Sequence, residues 1–212
     1  MIGVAVSTHA RPDVLAQSLA GWAHAMPDLL VVAHDVTGEG VAATKNRGIA
    51  ALMDAGCEHL FLADDDVAPL TPDPFTEYVN DPLPHLTLIR PNRDSDWTGD
   101  PRYRTRTGRN GNGVLMYVER QVVEKVGGFR SEYGRYGSEH ADWSRRIHNA
   151  GFTPATFIGL NDEISGRLWR ALDFNGSAPT TVPPEERRKS KQARRQILAG
   201  YWDAAPEFVE YR

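Results

Sequence analysis

The sequence predicts one α/β domain built on a central, mainly parallel sheet with helices on its faces. Three observations predict it. Strand and helix signals alternate from residue 2 to residue 63. The apolar runs are short and nearly continuous, as strands covered on both faces require. Each of the first three runs also ends in a polar cluster: Thr8-His9-Ala10-Arg11, His34-Asp35 and Asp64-Asp65-Asp66. In open α/β sheets ligands collect beyond the carboxyl ends of the strands, so this shared placement marks a candidate site.

Ile2-Gly3-Val4-Ala5-Val6 is the first strand. Pro12 stands at the first helical position with Asp13 in the first turn. Leu15, Leu19 and Trp22 follow at helical spacing, and Pro27 ends that helix. Leu29-Leu30-Val31-Val32-Ala33 is the second strand. Residues 41–55 form the second helix, stopped by Gly56. His59-Leu60-Phe61-Leu62-Ala63 is the third strand and runs directly into the acidic triplet. This βαβαβ order implies right-handed crossovers. Prolines 69, 72, 74, 82, 84 and 91 then interrupt regular structure. Leu86-Thr87-Leu88-Ile89 reads as a strand. Residues 92–112 are polar and rich in Arg, Asp and Gly, which predicts a long loop of the kind that often serves as a lid or binding loop. Val114-Leu115-Met116-Tyr117-Val118 is a further strand, and residues 120–126 a short helix closed by Gly127-Gly128. Residues 140–149 read as a helix stopped by Gly151, residues 153–158 as a last strand, and residues 184–201 as a charged helix containing Arg187-Arg188-Lys189 and Arg194-Arg195.

Composition narrows the function classes. With 212 residues, 41% of them hydrophobic, the chain supports one sizeable core. The net charge of -4, at 25% charged residues, argues against non-specific coating of nucleic acid, while local basic patches stay open. Cys57 is the single cysteine, so no internal disulfide forms. Together with a start, MIGVAVSTHARPD, that has no basic leader, this predicts a cytoplasmic setting. No apolar run approaches the roughly 20 residues of a spanning helix, so no membrane partner is expected.

Three adjacent carboxylates repel one another, and a hard cation relieves that repulsion. Mg2+ or Mn2+ binds through one or two carboxylates plus substrate phosphates. A solvated acidic turn or helix cap is the alternative. Placement directly after a buried third strand favours the metal.

Five motifs occur in a telling order: Val6-Ser7-Thr8-His9-Ala10-Arg11; Asp35; Lys45-Asn46-Arg47-Gly48; Leu62-Ala63-Asp64-Asp65-Asp66; and Gly127-Gly128-Phe129 followed by Gly137-Ser138-Glu139-His140-Ala141-Asp142. Over about residues 1 to 160 this series resembles the GT-A glycosyltransferases, particularly family 2. The resemblance implies a Rossmann-like GT-A catalytic domain over residues 1–175, with a basic helix and tail, residues 176–212, packed on or extending from it. It implies transfer of a sugar from a nucleotide donor, UDP-glucose or similar, to a hydroxyl acceptor with Mn2+ or Mg2+. By position, Thr8, Arg11 and Asp35 would meet base and ribose, Lys45 and Asn46 the base or diphosphate, and Asp65 the donor. Asp64 would contact ribose or metal, and Asp66 would ligate the metal, a Lewis acid for the leaving diphosphate.

The second acidic site departs from the family pattern, which has Glu-Asp with the Asp as general base. His140 stands at the matching position, and its near-neutral pKa suits that work. Glu139 and Asp142 share a helix face, so either could be the base or could orient His140. A retaining enzyme would need no such base. Trp97, Tyr103 and Tyr136 are candidates for stacking on a sugar or base, and Trp97 and Tyr136 are assigned to the acceptor with Arg104 and Arg106. Arg102, Arg104, Arg106 and Arg109, with the basic helix at 184–201, could track a phosphate backbone. The segment Phe61 to Pro69 and Gly137-Ser138-Glu139-His140 somewhat resemble compact phage glycosyltransferases associated with DNA-hydroxylating (TET/JBP) oxygenases. That resemblance makes 5-hydroxymethylcytosine in DNA a candidate acceptor, with a glycan or protein as the alternative. A sugar-phosphate nucleotidyltransferase ranks lower, because Ser7-Thr8-His9-Ala10-Arg11-Pro12 has no glycine for a phosphate loop.

Overall fold

The computed structural model describes the chain except residues 91–94, 98, 107, 110–112, 136 and 172–182, and except the side chains of residues 95–97, 186, 187 and 189–191. The first five elements follow the expected order: β1 (Ile2–Thr8), α1 (Pro12–Ala25), β2 (Leu29–His34), α2 (Val41–Asp54) and β3 (His59–Asp64). Met26 closes α1 in the left-handed conformation, its N–H donating to the Trp22 carbonyl at 3.1 Å, and Pro27 prevents continuation. After β3 come β4 (Val67–Pro69), α3 (Thr76–Val79), β5 (His85–Thr87), β6 (Ser95–Trp97), β7 (Tyr103–Arg106), β8 (Leu115–Glu119) and α4 (Arg120–Val126). A 3-10 turn (Ser131–Tyr133), α5 (Glu139–Asn149), β9 (Phe157–Leu160), α6 (Asp162–Leu168), β10 (Trp169–Ala171) and α7 (Pro184–Tyr201) complete the series.

The central sheet has the order β2-β1-β3-β8-β5. β1 pairs in parallel with β2 and β3, whereas β8 runs antiparallel to both β3 and β5. Alternate residues of these strands feed two apolar layers, as strand geometry demands. Val4, Val6, Phe61 and Tyr117 pack with Trp22, Phe75, Tyr78 and Trp169 on one side. Ala5, Leu60, Leu62 and Val118 pack with Ile49, Leu52, Val122 and Trp143 on the other. Both faces are covered, and the carboxyl ends of β1 and β3 are therefore held in place.

The expectation of a long loop over residues 92–112 is corrected. β6 and β7 lie within it, and β7 pairs antiparallel with both β6 and β9. Tyr103 turns into the core at 7% exposure while Arg104, Thr105 and Arg106 stay half-buried, so pairing with β6 and β9, not apolar alternation, makes this polar run a strand. The last predicted strand shifts from 153–158 to β9. A Cβ at Gly159 would stand 2.0 Å from the Thr87 carbonyl oxygen, so the crossing of β9 over β5 requires glycine there. α6 was not predicted, although its cap is ordinary: Asn161 Oδ1 accepts from the Ile164 N–H at 2.9 Å.

α7 and the residues after it lie against the rest of the fold. Leu198, 2% exposed, packs on Tyr133, Ala141 and Phe157. Val209 forms a parallel bridge with Gly127.

Candidate active site

The acidic triplet sits where β3 leaves the sheet. The Asp64 N–H still belongs to the sheet, donating to the Val114 carbonyl at 2.8 Å. The parallel register sets Ser7 beside Asp64, which brings the end of β1 alongside the turn. Asp65 is fully buried. Its Oδ2 accepts from Thr8 Oγ1 at 2.6 Å and from Arg11 Nε at 3.3 Å, and its Oδ1 accepts from Arg11 Nη2. Arg11 Nη1 reaches Asp66 Oδ2 at 3.2 Å. A planar guanidinium that forks across two carboxylates fixes both in direction as well as in charge.

Lys45 approaches from α2. It is only 1% exposed, which is rare for lysine and demands partners. Its Nζ lies 2.9 Å from Asp64 Oδ1 and donates to the Gly113 carbonyl. Asp64 itself keeps 29% of its side chain exposed. Burial pushes the Asp64 carboxyl above the usual range, and Asp65 and Glu139 add to the shift against the pull of Lys45.

α5 supplies Glu139 and His140. His140 Nδ1 lies 3.2 Å from Glu139 Oε1. Burial alone would raise the Glu139 pKa, but the His140 hydrogen bond and charge, with Lys45, bring it down to about 2. Gly113 makes room for the imidazole, since a Cβ there would meet His140 Cγ at 2.7 Å. Sequence reasoning missed Gly113. Its only signal was membership of the Gly-rich stretch before β8.

The structure thus brings Thr8, Arg11, Lys45, Asp64, Asp65, Asp66, Glu139 and His140 together. Other candidates are engaged elsewhere. Asp35 accepts from the N–H groups of Glu39 at 2.9 Å and Gly40 at 3.0 Å, shaping the turn into α2, while its carbonyl lies 2.9 Å from His9 Nδ1. Asn46 clasps the backbone of Phe129: Nδ2 donates to the carbonyl at 2.8 Å and Oδ1 accepts from the N–H at 2.7 Å. Asp142 does not orient His140, which is held by Glu139. It is buried and accepts from Arg146 Nε at 3.0 Å, with Arg130 Nε 3.4 Å away. Arg146 also caps α4 by donating to the carbonyls of Val126 and Gly128.

The basic run in 102–109 is largely committed to the protein itself. Arg102 donates to Asp81 at 2.7 Å and to Glu77 at 3.1 Å, and Arg104 pairs with Asp162. The Arg109 guanidinium lies 5.3 Å from the Trp202 ring centroid. Arg106 is half-buried on β7. Tyr136 and the Trp97 side chain lie outside the described residues.

Among the described residues no three His, Cys, Asp or Glu side chains converge as a metal cage. No described helix is long and apolar enough to cross a membrane.

No protein-family model and no curated protein matches the sequence. Solved structures do match. The catalytic domain of Drosophila beta1,4-galactosyltransferase 7, in complex with xylobiose, aligns over 99% of this chain and 82% of its own, at 14% identity and TM-score 0.58. A mannosyltransferase from Pyrobaculum calidifontis, in complex with GDP-Man and Mn2+, aligns over 73% of this chain at 18% identity and TM-score 0.51; the match spans 54% of that longer protein. A glycosyltransferase involved in glycosylation of the major capsid of PBCV-1 aligns over 92% of this chain and 98% of its own, at 10% identity and TM-score 0.50. At these identities the likeness is one of architecture, and that architecture, a central mostly parallel sheet flanked by helices, is the GT-A fold of glycosyltransferases.

Proposed function

We propose that this chain transfers a sugar from a nucleoside-diphosphate donor to a hydroxyl acceptor, with a divalent metal at Asp64 and Asp66. One observation carries the reading: the triplet meets Lys45 and the Glu139–His140 pair beyond the carboxyl ends of β1 and β3 in a GT-A sheet. That fold hosts enzymes solved with GDP-Man and Mn2+, and with manganese and UDP-Gal, which supports the same donor chemistry here.

The donor set fits a hard cation. Four carboxylates (Asp64, Asp65, Asp66 and Glu139) face two permanent cations, Arg11 and Lys45. One divalent cation would balance the negative charge left over. Asp64 and Asp66 offer carboxylate oxygens, and substrate phosphates would complete the coordination of such an ion. Such a metal would stabilise charge on the leaving diphosphate.

The chain's own residues have distinct tasks in this reading. Asp65, buried, holds Thr8 and Arg11 in place and thereby sets the direction of its neighbours. Lys45 fixes Asp64 and lends positive charge beside the diphosphate. Glu139, with its pKa near 2, is a poor proton acceptor and instead orients His140. With the Nδ1 proton directed at Glu139, Nε2 is the basic nitrogen. In an inverting reaction Nε2 takes the acceptor hydroxyl proton as the acceptor oxygen bonds to the anomeric carbon. The bond from that carbon to the diphosphate breaks, and the diphosphate leaves with the electron pair. In this reading the catalytic unit spans residues 1–175, and of the C-terminal part the described α7 and the residues after it pack on it.

A DNA acceptor draws less support from the structure than from the sequence, because Arg102 and Arg104 are ion-paired internally. An electrophoretic shift with hydroxymethylated duplex, weakening as salt rises, would restore it.

The deciding experiment is nucleotide release from a panel of UDP- and GDP-sugars with and without Mn2+. Metal-dependent release, lost in Asp66→Ala, is expected. Absence of release from every donor, with no effect of Asp66→Ala, overturns the proposal.

A further inference from the structure

Residues 207–212 make a set of contacts that the reaction just described does not use. Val209 bridges Gly127, its N–H donating to the Val126 carbonyl at 3.1 Å, while the Gly128 N–H donates to the Val209 carbonyl at 2.8 Å. Arg130 pairs with Glu207, and Arg212 Nη2 lies 2.7 Å from Asp54 Oδ1 at the end of α2. Tyr211 packs against the apolar layer beneath α2.

The two glycines are the seat of this segment. Gly127 has φ +71, and a Cβ on it would stand 1.9 Å from the Val209 carbonyl oxygen. A Cβ on Gly128 would stand 2.5 Å from Tyr211 Cβ and 2.4 Å from Asn46 Oδ1. The segment, the Gly-Gly turn and Asn46 are therefore in mutual contact with no room for one more carbon. Asn46 closes the stack by clasping Phe129 through both of its amide atoms. Its neighbour Lys45 lies 6.0 Å from the Phe129 ring centroid and carries the ammonium that meets Asp64.

We propose that residues 207–212 act as a positioning strap for the candidate donor site: seated in the Gly127–Gly128 groove and tied to Asp54, the strap presses Asn46 and Phe129 together and so holds Lys45 against Asp64. The proposal rests on the donor-site reading for its consequence in catalysis, but its physical core is the confinement of Lys45. α2 is fastened at Asn46 by the buried glycine turn, and Arg212 adds an exposed ion pair to Asp54 at its end. A helix fastened beside its lysine presents it in one position, and a long ammonium-bearing side chain gains most from that restriction.

The test uses the full chain with Tyr211→Ala, Val209→Pro and Tyr211→Phe. Leu86→Ala, buried in β5 on the opposite apolar layer, serves as a destabilised control. Lys45 reactivity toward an acetylating reagent is followed by mass spectrometry under native conditions, with exposed Lys125 as the internal reference. Tyr211→Ala and Val209→Pro are expected to raise Lys45 labelling about fivefold, the effect of losing one hydrogen bond or its equivalent. Tyr211→Phe and Leu86→Ala should stay at the wild-type ratio. In nucleotide release from a UDP- or GDP-sugar with Mn2+, the strap variants should raise the donor KM more than they lower kcat. Unchanged Lys45 labelling in both Tyr211→Ala and Val209→Pro overturns the strap, even if both lower the melting temperature. Raised labelling in a protein whose wild type turns over no donor leaves the strap standing and removes the donor-site reading.

Discussion

Replacing Asp65 by asparagine is the sharpest test of how the acidic turn is built. Asp65 is fully buried and accepts three hydrogen bonds, from Thr8 Oγ1 and from two nitrogens of Arg11. The Asp65→Asn change keeps the shape, removes the charge, and turns an amide donor toward donors. Breaking a buried ion pair on one side costs about 3–5 kcal/mol. Arg11 keeps Asp66 as a partner and 19% exposure, so the lower end applies, about 3 kcal/mol. In a chain of this size that loss lowers the melting temperature by roughly 6–12 °C. Urea unfolding followed by circular dichroism measures it directly. Thr8→Val removes only the 2.6 Å bond and should cost about 1–2 kcal/mol. Because both changes act on one carboxylate, the double variant should fall short of the sum by more than about 0.5 kcal/mol. An Asp65→Asn protein within about 1 kcal/mol of wild type would refute the claim that Asp65 is the anchor of the turn, and additivity with Thr8→Val would refute the shared network.

Three further expectations follow from the same geometry. His85 is buried between the Tyr117 carbonyl and Ser144, and burial brings its pKa down to about 4 from 6.5. Glu139 stands at about 2 instead of 4.5. Both groups bind protons less readily in the folded state, so each stabilises the fold at neutral pH. That stability is lost as pH falls, from 6.5 to about 4 for His85 and from 4.5 to about 2 for Glu139, on the order of 3 kcal/mol each. His85→Asn should flatten the upper part of the stability-against-pH curve and Glu139→Gln the lower part; unchanged curves would count against these assignments. Gly159→Ala should cost about 1–3 kcal/mol, since its Cβ meets backbone that has little freedom to retreat, and an unshifted melting curve would contradict the close crossing of β9 and β5. His140→Ala should lower kcat about 100-fold or more while leaving the donor KM within a few-fold, and an unaltered kcat would exclude His140 as the base.

The parts of the fold that were legible in the sequence are those where local periodicity and burial agree. β1, β2 and β3 are short apolar runs between clear stops, and α4 and α7 match their expected bounds. The triplet was readable because it follows such a run directly. What escaped depended on partners far along the chain. β7 is written in arginines and threonines, and only pairing with β9 makes it a strand. The resemblance assigns Lys45 to the donor, but its burial against Gly113 and Asp64 shows only once α2 is laid over them. Asp142 and Glu139 share a helix face in sequence, yet the guanidinium of Arg146 draws one away from the imidazole that the other holds. The run of arginines from 102 to 109 suggested a surface for a polyanion, and its acidic partners Glu77, Asp81 and Asp162 stand too far off in the sequence to have warned of the pairing.

The bridge between Gly127 and Val209 also bears on how long the folded state lasts. It joins positions far apart in the chain, so the entropy of closing that loop is charged before the bridge returns anything. Contacts of this kind are expected to form late, after the central sheet has gathered its strands, and to be absent from the folding transition state. Weakening them leaves the folding rate nearly untouched and speeds unfolding instead. Two glycines and a valine then act mainly on the lifetime of the native molecule.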